Sequence, residues 1–260
     1  MAGRVALITG ASAGIGCELA RIFARNGHHV ALVARRLDRL KALSDEIVAA
    51  GGQEPLIICC DLQRPDAGDV ISAALASAAV EPEYLVNNAG FGLFGEWLQL
   101  GRTEQLAMVD VNVRALTDLS LRFADCLARH RGGILNVASL AGFLPGPRMA
   151  VYYATKAYVI SYSEALFCEL APRGVRVTAL CPGAVPTEFQ ARAGIVPGFD
   201  SKVLSISAAD VAMAGYRGLM AGKRLVLPGV GMKMIPFMLR FVPRAWVVSL
   251  VGRVQGRHSV

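Results

Sequence analysis

The chain lacks the patterns that mark membrane spans, secretion and metal sites. No run of about 18 residues is both apolar and uncharged, and the first five residues lead directly into a strand-like segment, so neither a transmembrane helix nor a signal peptide is predicted. The six cysteines show no CxxC spacing and the four histidines form no i, i+4 pair, so we expect no zinc or other metal site. These absences favour a cytoplasmic protein.

Acidic residues are absent after Asp210. The net charge of +7 therefore comes from the last part of the chain, which carries eight basic residues. They are Arg217, Lys223, Arg224, Lys233, Arg240, Arg244, Arg253 and Arg257. Such an asymmetry indicates an anionic surface or an acidic substrate as partner. No nucleic-acid partner is expected.

Apolar, strand-like runs alternate with helical patterns along the chain. The runs lie at residues 5–9, 29–34, 56–60, 84–87, 134–137, 175–181 and 225–227. Helical spacing of apolar residues covers 15–26 and 37–50 between them, and Ser207 with Asp210 has the spacing of a capping box that begins a later helix. Apolar strands between helices are typical of a parallel sheet covered on both faces, so we predict an α/β fold with one core.

Two segments stand apart from this alternation. Residues 183–204 contain several prolines and glycines and are predicted to form a loop or lid beyond the carboxyl end of the sixth strand. Residues 231–260 are predicted to form a basic, apolar extension of a main α/β domain that spans 1–230. The extension has three interpretations: a subunit-interface helix, an interfacial membrane helix that gives peripheral membrane association, or part of the substrate entrance.

A glycine-rich turn, TGASAGIG, follows the first strand and opens the first helix. Gly10, Gly14 and Gly16 in this position can bring backbone N–H groups to a pyrophosphate, and the helix dipole favours an anion there. The alternative is a plain structural turn.

Arg35 and Arg36 stand at the end of the second strand, where an acidic residue would bind the ribose diol of NAD. Guanidinium groups pair with a 2′-phosphate, so this position favours NADP(H), although a solvated helix start would also carry arginines. Asp61, after the third strand, is a candidate acceptor for the adenine amino group, and Ser12 a candidate donor to a phosphate.

Tyr152 and Lys156 are four residues apart in a helical stretch, which places both side chains on one face. An adjacent ammonium is expected to lower the pKa of the Tyr152 phenol and make it a usable acid and base. Ser139 follows the fifth strand and can hydrogen-bond a substrate oxygen at the same edge of the sheet. Attack by Ser139 as a nucleophile is the rival interpretation, but the residue lies in VASLAG rather than a Gly-x-Ser-x-Gly elbow.

Together these segments resemble the short-chain dehydrogenase/reductase family. The shared motifs are TGxxxGIG at residues 9–16, NNAG at residues 87–90, Ser139, and YxxxK from Tyr152 to Lys156, with Asn112 and Thr187 in consistent order. The resemblance implies a single-domain, Rossmann-type, doubly wound parallel sheet of about seven strands with helices on both faces.

The resemblance also implies roles for these residues. Tyr152 is the general acid and base, Lys156 holds the nicotinamide ribose, Ser139 orients the carbonyl, and Asn112 holds a water that relays protons to Lys156. The cofactor site it implies comprises Gly10, Ser12, Ala13, Gly14, Ile15, Gly16, Arg35, Arg36, Asp61, Leu62, Asn88, Ala89, Gly90, Tyr152, Lys156, Pro182, Gly183, Val185 and Thr187. Many NADP(H)-using relatives carry a basic residue where this chain has Ala13, so the expected preference depends on Arg35 and Arg36. A homodimer or homotetramer is expected.

The candidate substrate pocket is almost entirely apolar. Its expected residues are Phe91, Leu93, Phe94, Leu140, Phe143, Leu144, Phe189, Ile195 and Phe199. Such a pocket favours a hydrophobic ketone, aldehyde or secondary alcohol. The sequence therefore predicts an NADP(H)-dependent carbonyl reductase, with a 3-oxoacyl thioester reductase or a nucleotide-sensing module without chemistry as alternatives.

Overall fold

Seven parallel strands form the centre of the molecule. The computed structural model describes residues 2–194, 206–229, 234–239 and 241–256. The strands are β1 (Gly3–Thr9), β2 (Val30–Ala34), β3 (Leu56–Cys59), β4 (Val80–Asn87), β5 (Gly133–Val137), β6 (Arg176–Leu180) and β7 (Leu225–Val226). Their order in the sheet is β3-β2-β1-β4-β5-β6-β7, and every pair is parallel. The predicted doubly wound α/β fold is confirmed.

Helices connect the strands and cover the sheet. They are α1 (Gly14–Arg25), α2 (Leu37–Ala49), α3 (Ala67–Ser77), α4 (Arg102–Val109), α5 (Leu116–Arg129), α6 (Ala150–Leu170), α7 (Glu188–Ala193), α8 (Ala208–Met220), α9 (Met234–Met238) and α10 (Arg244–Gly256). A π-helical turn, Asp110–Ala115, joins α4 to α5 without interruption, and a 3₁₀ turn, Leu140–Phe143, follows β5.

Side chains of β1 alternate between the two faces of the sheet, because successive residues of a strand point in opposite directions. Val5 and Leu7 pack with apolar side chains of α3 and α5, whereas Ala6 and Ile8 pack with those of α1, α2 and α8. All four are at most 1% exposed, so both faces of the sheet are covered. This two-sided burial explains why the strands are apolar throughout rather than alternating.

The predicted lid is only partly a loop. Residues 188–193 of the predicted loop or lid form α7, and residues 195–204 lie outside the described part of the chain. Thr187 begins the helix, because its hydroxyl accepts a hydrogen bond from the Phe189 N–H at 3.4 Å. The predicted cap of α8 is confirmed, since the Ser207 hydroxyl accepts from the Asp210 N–H at 3.1 Å.

The order of the strands places a cleft beyond the end of β1. β1 pairs with β2 on one side and β4 on the other, so the connections from β1 and β4 leave in opposite directions and open a crevice at their carboxyl ends. The buried hydroxyl of Thr9 ties the two ends together. It accepts hydrogen bonds from the N–H groups of Asn88 and Ala89, both at 3.0 Å, and donates to the Val86 carbonyl at 3.1 Å.

Replacing Thr9 with valine is expected to lower the free energy of unfolding by about 2 kcal/mol, because two backbone donors lose their acceptor with little change in side-chain volume. Denaturant unfolding measures the change. Thr9→Ser, which keeps the hydroxyl, is the matched control and should lose less stability than Thr9→Val. Equal losses in the two variants would show that the hydroxyl does not hold the strand ends.

Candidate active site

One cleft of about 770 Å³ lies across the carboxyl ends of the strands. All residues predicted to bind the cofactor line it except Gly16, which lies beneath the glycine turn in contact with the Gly10 carbonyl and the Asn88 side chain. Ser139, Tyr152 and Lys156 line the same cleft, whereas Asn112 does not. The structure therefore brings the glycine turn, the arginine pair and the tyrosine–lysine pair to one site.

The glycine turn passes close to the loop after β4. A Cβ atom on Gly10 would lie 2.7 Å from Asn88 Nδ2, and Gly10 has a φ of +67°, so only glycine fits there without strain. At the start of α1, Ala13 occupies the N-cap and no side chain caps the helix. The first N–H groups of α1 are thus left to bind an anion in the cleft.

Arg36 lies directly beside the glycine turn. Its guanidinium donates to Ser12 Oγ at 3.2 Å and pairs with Glu188 of α7 at 2.8 Å. Arg35 lies 3.7 Å from the Asp61 carboxylate. The glycine turn and the end of β2 therefore form one edge of the cleft, which Arg35 and Arg36 make basic. The carboxylates of Asp61 and Glu188 lie on the same edge.

Tyr152 and Lys156 are buried side chains of α6, with 8% and 5% of their surfaces exposed. Lys156 Nζ donates to the Val137 carbonyl at 2.7 Å and lies 5.9 Å from the centre of the Tyr152 ring. The Ser139 hydroxyl accepts from the Ala141 N–H at 3.1 Å and begins the 3₁₀ turn after β5.

Burial reverses the pKa shift that the spacing predicts for Tyr152. Burial raises the pKa of the Tyr152 phenol to about 12, and hydrogen bonding to Ser139 offsets only part of the increase. Burial also lowers the pKa of Lys156 to about 8. Both side chains lose water on burial, and desolvation is the largest cause of each shift, so the expected lowering of the phenol pKa by Lys156 is wrong. Tyr152 accordingly keeps its proton at neutral pH.

Asn112 lies in the π-helical turn and is 1% exposed. Its side chain forms a pair of hydrogen bonds with the backbone of Phe91, at 3.1 and 3.0 Å, and donates to Thr155 Oγ1 at 3.1 Å. These bonds fasten the loop after β4 to α6, the helix that carries Tyr152 and Lys156. The proton relay through Asn112 stays a prediction.

The apolar pocket contains five of the nine expected residues, which are Phe91, Phe94, Leu140, Leu144 and Phe189. Leu93 and Phe143 do not line the cleft, and Ile195 and Phe199 lie outside the described residues. The Phe189 ring centre lies 5.3 Å from that of Tyr152. An apolar wall therefore surrounds the phenol.

The cleft is also lined by residues that were not predicted from the sequence, among them Glu188 and Arg192 on α7 and Gln255 at the end of α10. Gln255 donates to the Tyr153 hydroxyl at 2.8 Å, across 102 residues of sequence, and no local pattern could have revealed that contact. For α7, the Thr–Glu pair at 187–188 is a helix-start signal that was available.

The tail otherwise exposes apolar side chains. Phe241 is 73% exposed and Trp246 is 70% exposed, while Val247 and Gln255 pack against the protein. Within the described ranges, no helix has the length and apolar character that crossing a bilayer requires. Likewise, no three potential metal ligands cluster in that part of the chain.

A parallel doubly wound sheet with a glycine turn, a basic rim and a tyrosine–lysine pair in one cleft defines a nucleotide-dependent oxidoreductase. The family model for short chain dehydrogenases matches residues 4–195. The chain belongs to this family, whose members act on alcohol and carbonyl groups.

Three known proteins illustrate the similarity. The sulfoacetaldehyde reductase of Chromohalobacter salexigens is 39% identical over 70% of this chain and 72% of its own length. A short-chain dehydrogenase from Sphingobium yanoikuyae, solved in complex with NADPH, is 32% identical with a TM-score of 0.80, covering 92% of both chains. The bulky-bulky ketone specific alcohol dehydrogenase of Comamonas testosteroni is 27% identical with a TM-score of 0.75, covering 100% of this chain and 95% of its own.

The lowered pKa of Lys156 predicts how stability depends on pH. In the folded state Lys156 loses its proton near pH 8, but in the unfolded chain only near the ordinary value of 10.5, so between these values the unfolded state binds more protons. The wild type should therefore gain stability relative to Lys156→Met as the pH rises through this window. Urea unfolding at a series of pH values measures the difference, with the exposed Lys41→Met as control. A difference that does not change with pH would contradict the prediction.

Proposed function

We propose that the protein is an NADP(H)-dependent reductase of a hydrophobic ketone or aldehyde, which runs in reverse as an alcohol dehydrogenase. The observation that carries the proposal is the position of the Tyr152 phenol. It is buried, it keeps its proton, and it lies where the nucleotide cleft meets the apolar pocket. A proton donor at that junction suits the reduction of a carbonyl group.

The residues of the cleft fit a dinucleotide. The tight turn at Gly10 and the uncapped start of α1 suit a pyrophosphate, which needs close approach to backbone N–H groups. Arg36, held against Ser12, supports binding of a 2′-phosphate, because its guanidinium stands where a carboxylate would bind the diol of NAD. The cofactor would supply a hydride from its nicotinamide ring.

The side chains around Tyr152 suit proton transfer to a carbonyl oxygen. Ser139 would donate a hydrogen bond to that oxygen and orient it, and Tyr152 would then give it the phenol proton. The phenolate that results is destabilised by burial, so the Lys156 ammonium beside it supports the charged state. We propose that Asn112 acts on this pair through the proton relay to Lys156.

The lining of the pocket supports a hydrophobic substrate. Phe94, Leu144, Phe189 and Met149 line the same cleft as Tyr152, and apolar walls select by shape. The name of the Comamonas testosteroni enzyme, which refers to bulky ketones, supports a hydrophobic substrate. The aldehyde in the name of the Chromohalobacter salexigens enzyme is instead small and acidic. Turnover of a panel of bulky ketones, short aldehydes and 3-oxoacyl thioesters, with NADPH and with NADH, ranks these substrates directly.

Tyr152→Phe is expected to lower kcat at least about 100-fold on any ketone that the wild type reduces, because the proton donor is removed while the ring remains. Steady-state kinetics measures kcat, and calorimetry with NADP⁺ checks that the cofactor still binds. Tyr158→Phe is the matched control: its hydroxyl bonds Thr117 on the surface and does not line the cleft. Near-normal turnover by Tyr152→Phe would refute the proposed mechanism.

We also propose that residues 231–260 form an extension of the catalytic domain that rests on an anionic lipid surface. Phe237, Phe241, Trp246 and Leu250 are each more than half exposed, and the chain carries only positive charges after Asp210. An exposed apolar surface flanked by cations matches the chemistry of an anionic membrane interface. At the end of α10, Gln255 donates a hydrogen bond to the Tyr153 hydroxyl, and both residues line the cleft.

The double variant Phe241→Ser, Trp246→Ser should weaken binding to vesicles of phosphatidylcholine and phosphatidylglycerol by roughly tenfold or more, since two interfacial aromatic side chains are lost. Co-sedimentation measures binding. Trp97→Ser, Leu98→Ser is the matched control, because Trp97 and Leu98 are 62% and 89% exposed outside the tail. If neither pair changes binding, or if the tail pair instead changes the oligomer size in light scattering, the surface does not bind lipid.

A further inference from the structure

Arg192 is a cleft residue that forms no ion pair among the described residues. It lies on α7, and its guanidinium carbon lies 4.3 Å from the centre of the Phe91 ring. Stacking on an aromatic face holds the guanidinium flat and leaves its N–H groups free at the edges. The side chain lines the cleft.

Arg192 is influenced by two cations, Arg35 and Arg36, and by one carboxylate, Asp61. Partial burial lowers the pKa of Arg192, and the charges of Arg35 and Arg36 lower it further, while Asp61 acts in the opposite direction. Repulsion of this kind costs free energy unless an anion relieves it. The cleft therefore concentrates positive charge at the point where Arg35, Arg36 and Arg192 approach one another.

The carboxylates nearby are already paired with other arginines. Glu188 binds Arg36 at 2.8 Å and lies 3.9 Å from Arg39, and Asp61 lies 3.7 Å from Arg35. Among the residues that the structure describes, no carboxylate lies within 4.0 Å of the Arg192 guanidinium. Its charge is available to a ligand.

The geometry of α7 places Arg192 between the two halves of the cleft. Phe189 and Arg192 are three residues apart, so they share a face of the helix. Phe189 packs against Tyr152, at the reacting end, and Arg192 stacks on Phe91, towards the arginine pair. A negative group bound in either half can reach this guanidinium.

We propose that Arg192 binds an oxyanion held in the cleft. The group is a phosphate of NADP(H) or the acid group of a substrate, and both accept charge-assisted hydrogen bonds from a guanidinium. This inference rests on the proposed function, because the two sources are the proposed cofactor and substrate. Arg192 is a cation in an otherwise apolar pocket, and the motifs of the family do not include it.

Calorimetry on the full chain tests the cofactor source. The probes are NADP⁺, 2′,5′-ADP and 5′-AMP, and the variants are Arg192→Met, Arg192→Lys, and the control Arg25→Met at the far end of α1. If the oxyanion is a cofactor phosphate, Arg192→Met should weaken 2′,5′-ADP binding about tenfold, and Arg192→Lys should recover part of the loss. A loss for 2′,5′-ADP alone identifies the 2′-phosphate, and a loss also for 5′-AMP identifies the 5′ side.

Kinetics on a matched pair of ketones tests the substrate source. The pair is 4-oxopentanoate and its methyl ester, which differ in the charge of one group. If the oxyanion belongs to the substrate, Arg192→Met should keep wild-type affinity for NADP⁺ but lose about tenfold in kcat/KM for the acid and not for the ester.

Two results would overturn the inference. One is an Arg192→Met variant that matches the wild type with every nucleotide and with both ketones. The other is a loss of the same size in Arg25→Met. If the wild type binds no NADP⁺ and reduces no ketone, the proposed function itself is refuted. If the wild type binds NADP⁺ but substitution of Arg192 changes nothing, only the inference about Arg192 fails.

Discussion

The hydrogen bonds of Thr9 are the constraint on which the site depends. A single buried hydroxyl joins the ends of β1 and β4, the two strands between which the direction of winding changes. Because the glycine turn follows β1 and the NNAG segment follows β4, this bond sets the distance between them. The loop after β4 is held a second time by Asn112, which bonds the Phe91 backbone and Thr155 of α6.

Burial is the second determinant of the chemistry. Tyr152 and Lys156 are more than nine-tenths buried. The loss of water raises the pKa of the phenol, which stays protonated, and lowers the pKa of the lysine. The spacing of the two residues suggests only that they can interact. Which protonation state each one takes follows from desolvation, which depends on the packing of Phe189, Met149 and the 3₁₀ turn around them.

α7 and the tail link the nucleotide side of the cleft to its substrate side. Glu188 reaches back to Arg36, Phe189 packs on Tyr152, and Arg192 stacks on Phe91, so one short helix contacts both halves. Gln255 brings the end of α10 to the same opening. These contacts join residues that are distant in sequence, and they comprise an ion pair, a hydrogen bond and two contacts with aromatic rings.

The sequence by itself determined the parallel α/β fold, the glycine turn, the arginines after β2 and the tyrosine–lysine pair, because each depends on a local pattern of spacing or on burial that repeats along a strand. Only the tertiary structure decided the raised pKa of Tyr152 and the helix within the predicted lid. It also decided which side chains line the cleft: Arg192 and Gln255 do, whereas Leu93 and Phe143 do not. Those features depend on which distant side chains exclude water from a site and on which charges those side chains carry. Residue spacing along the sequence predicts neither of these.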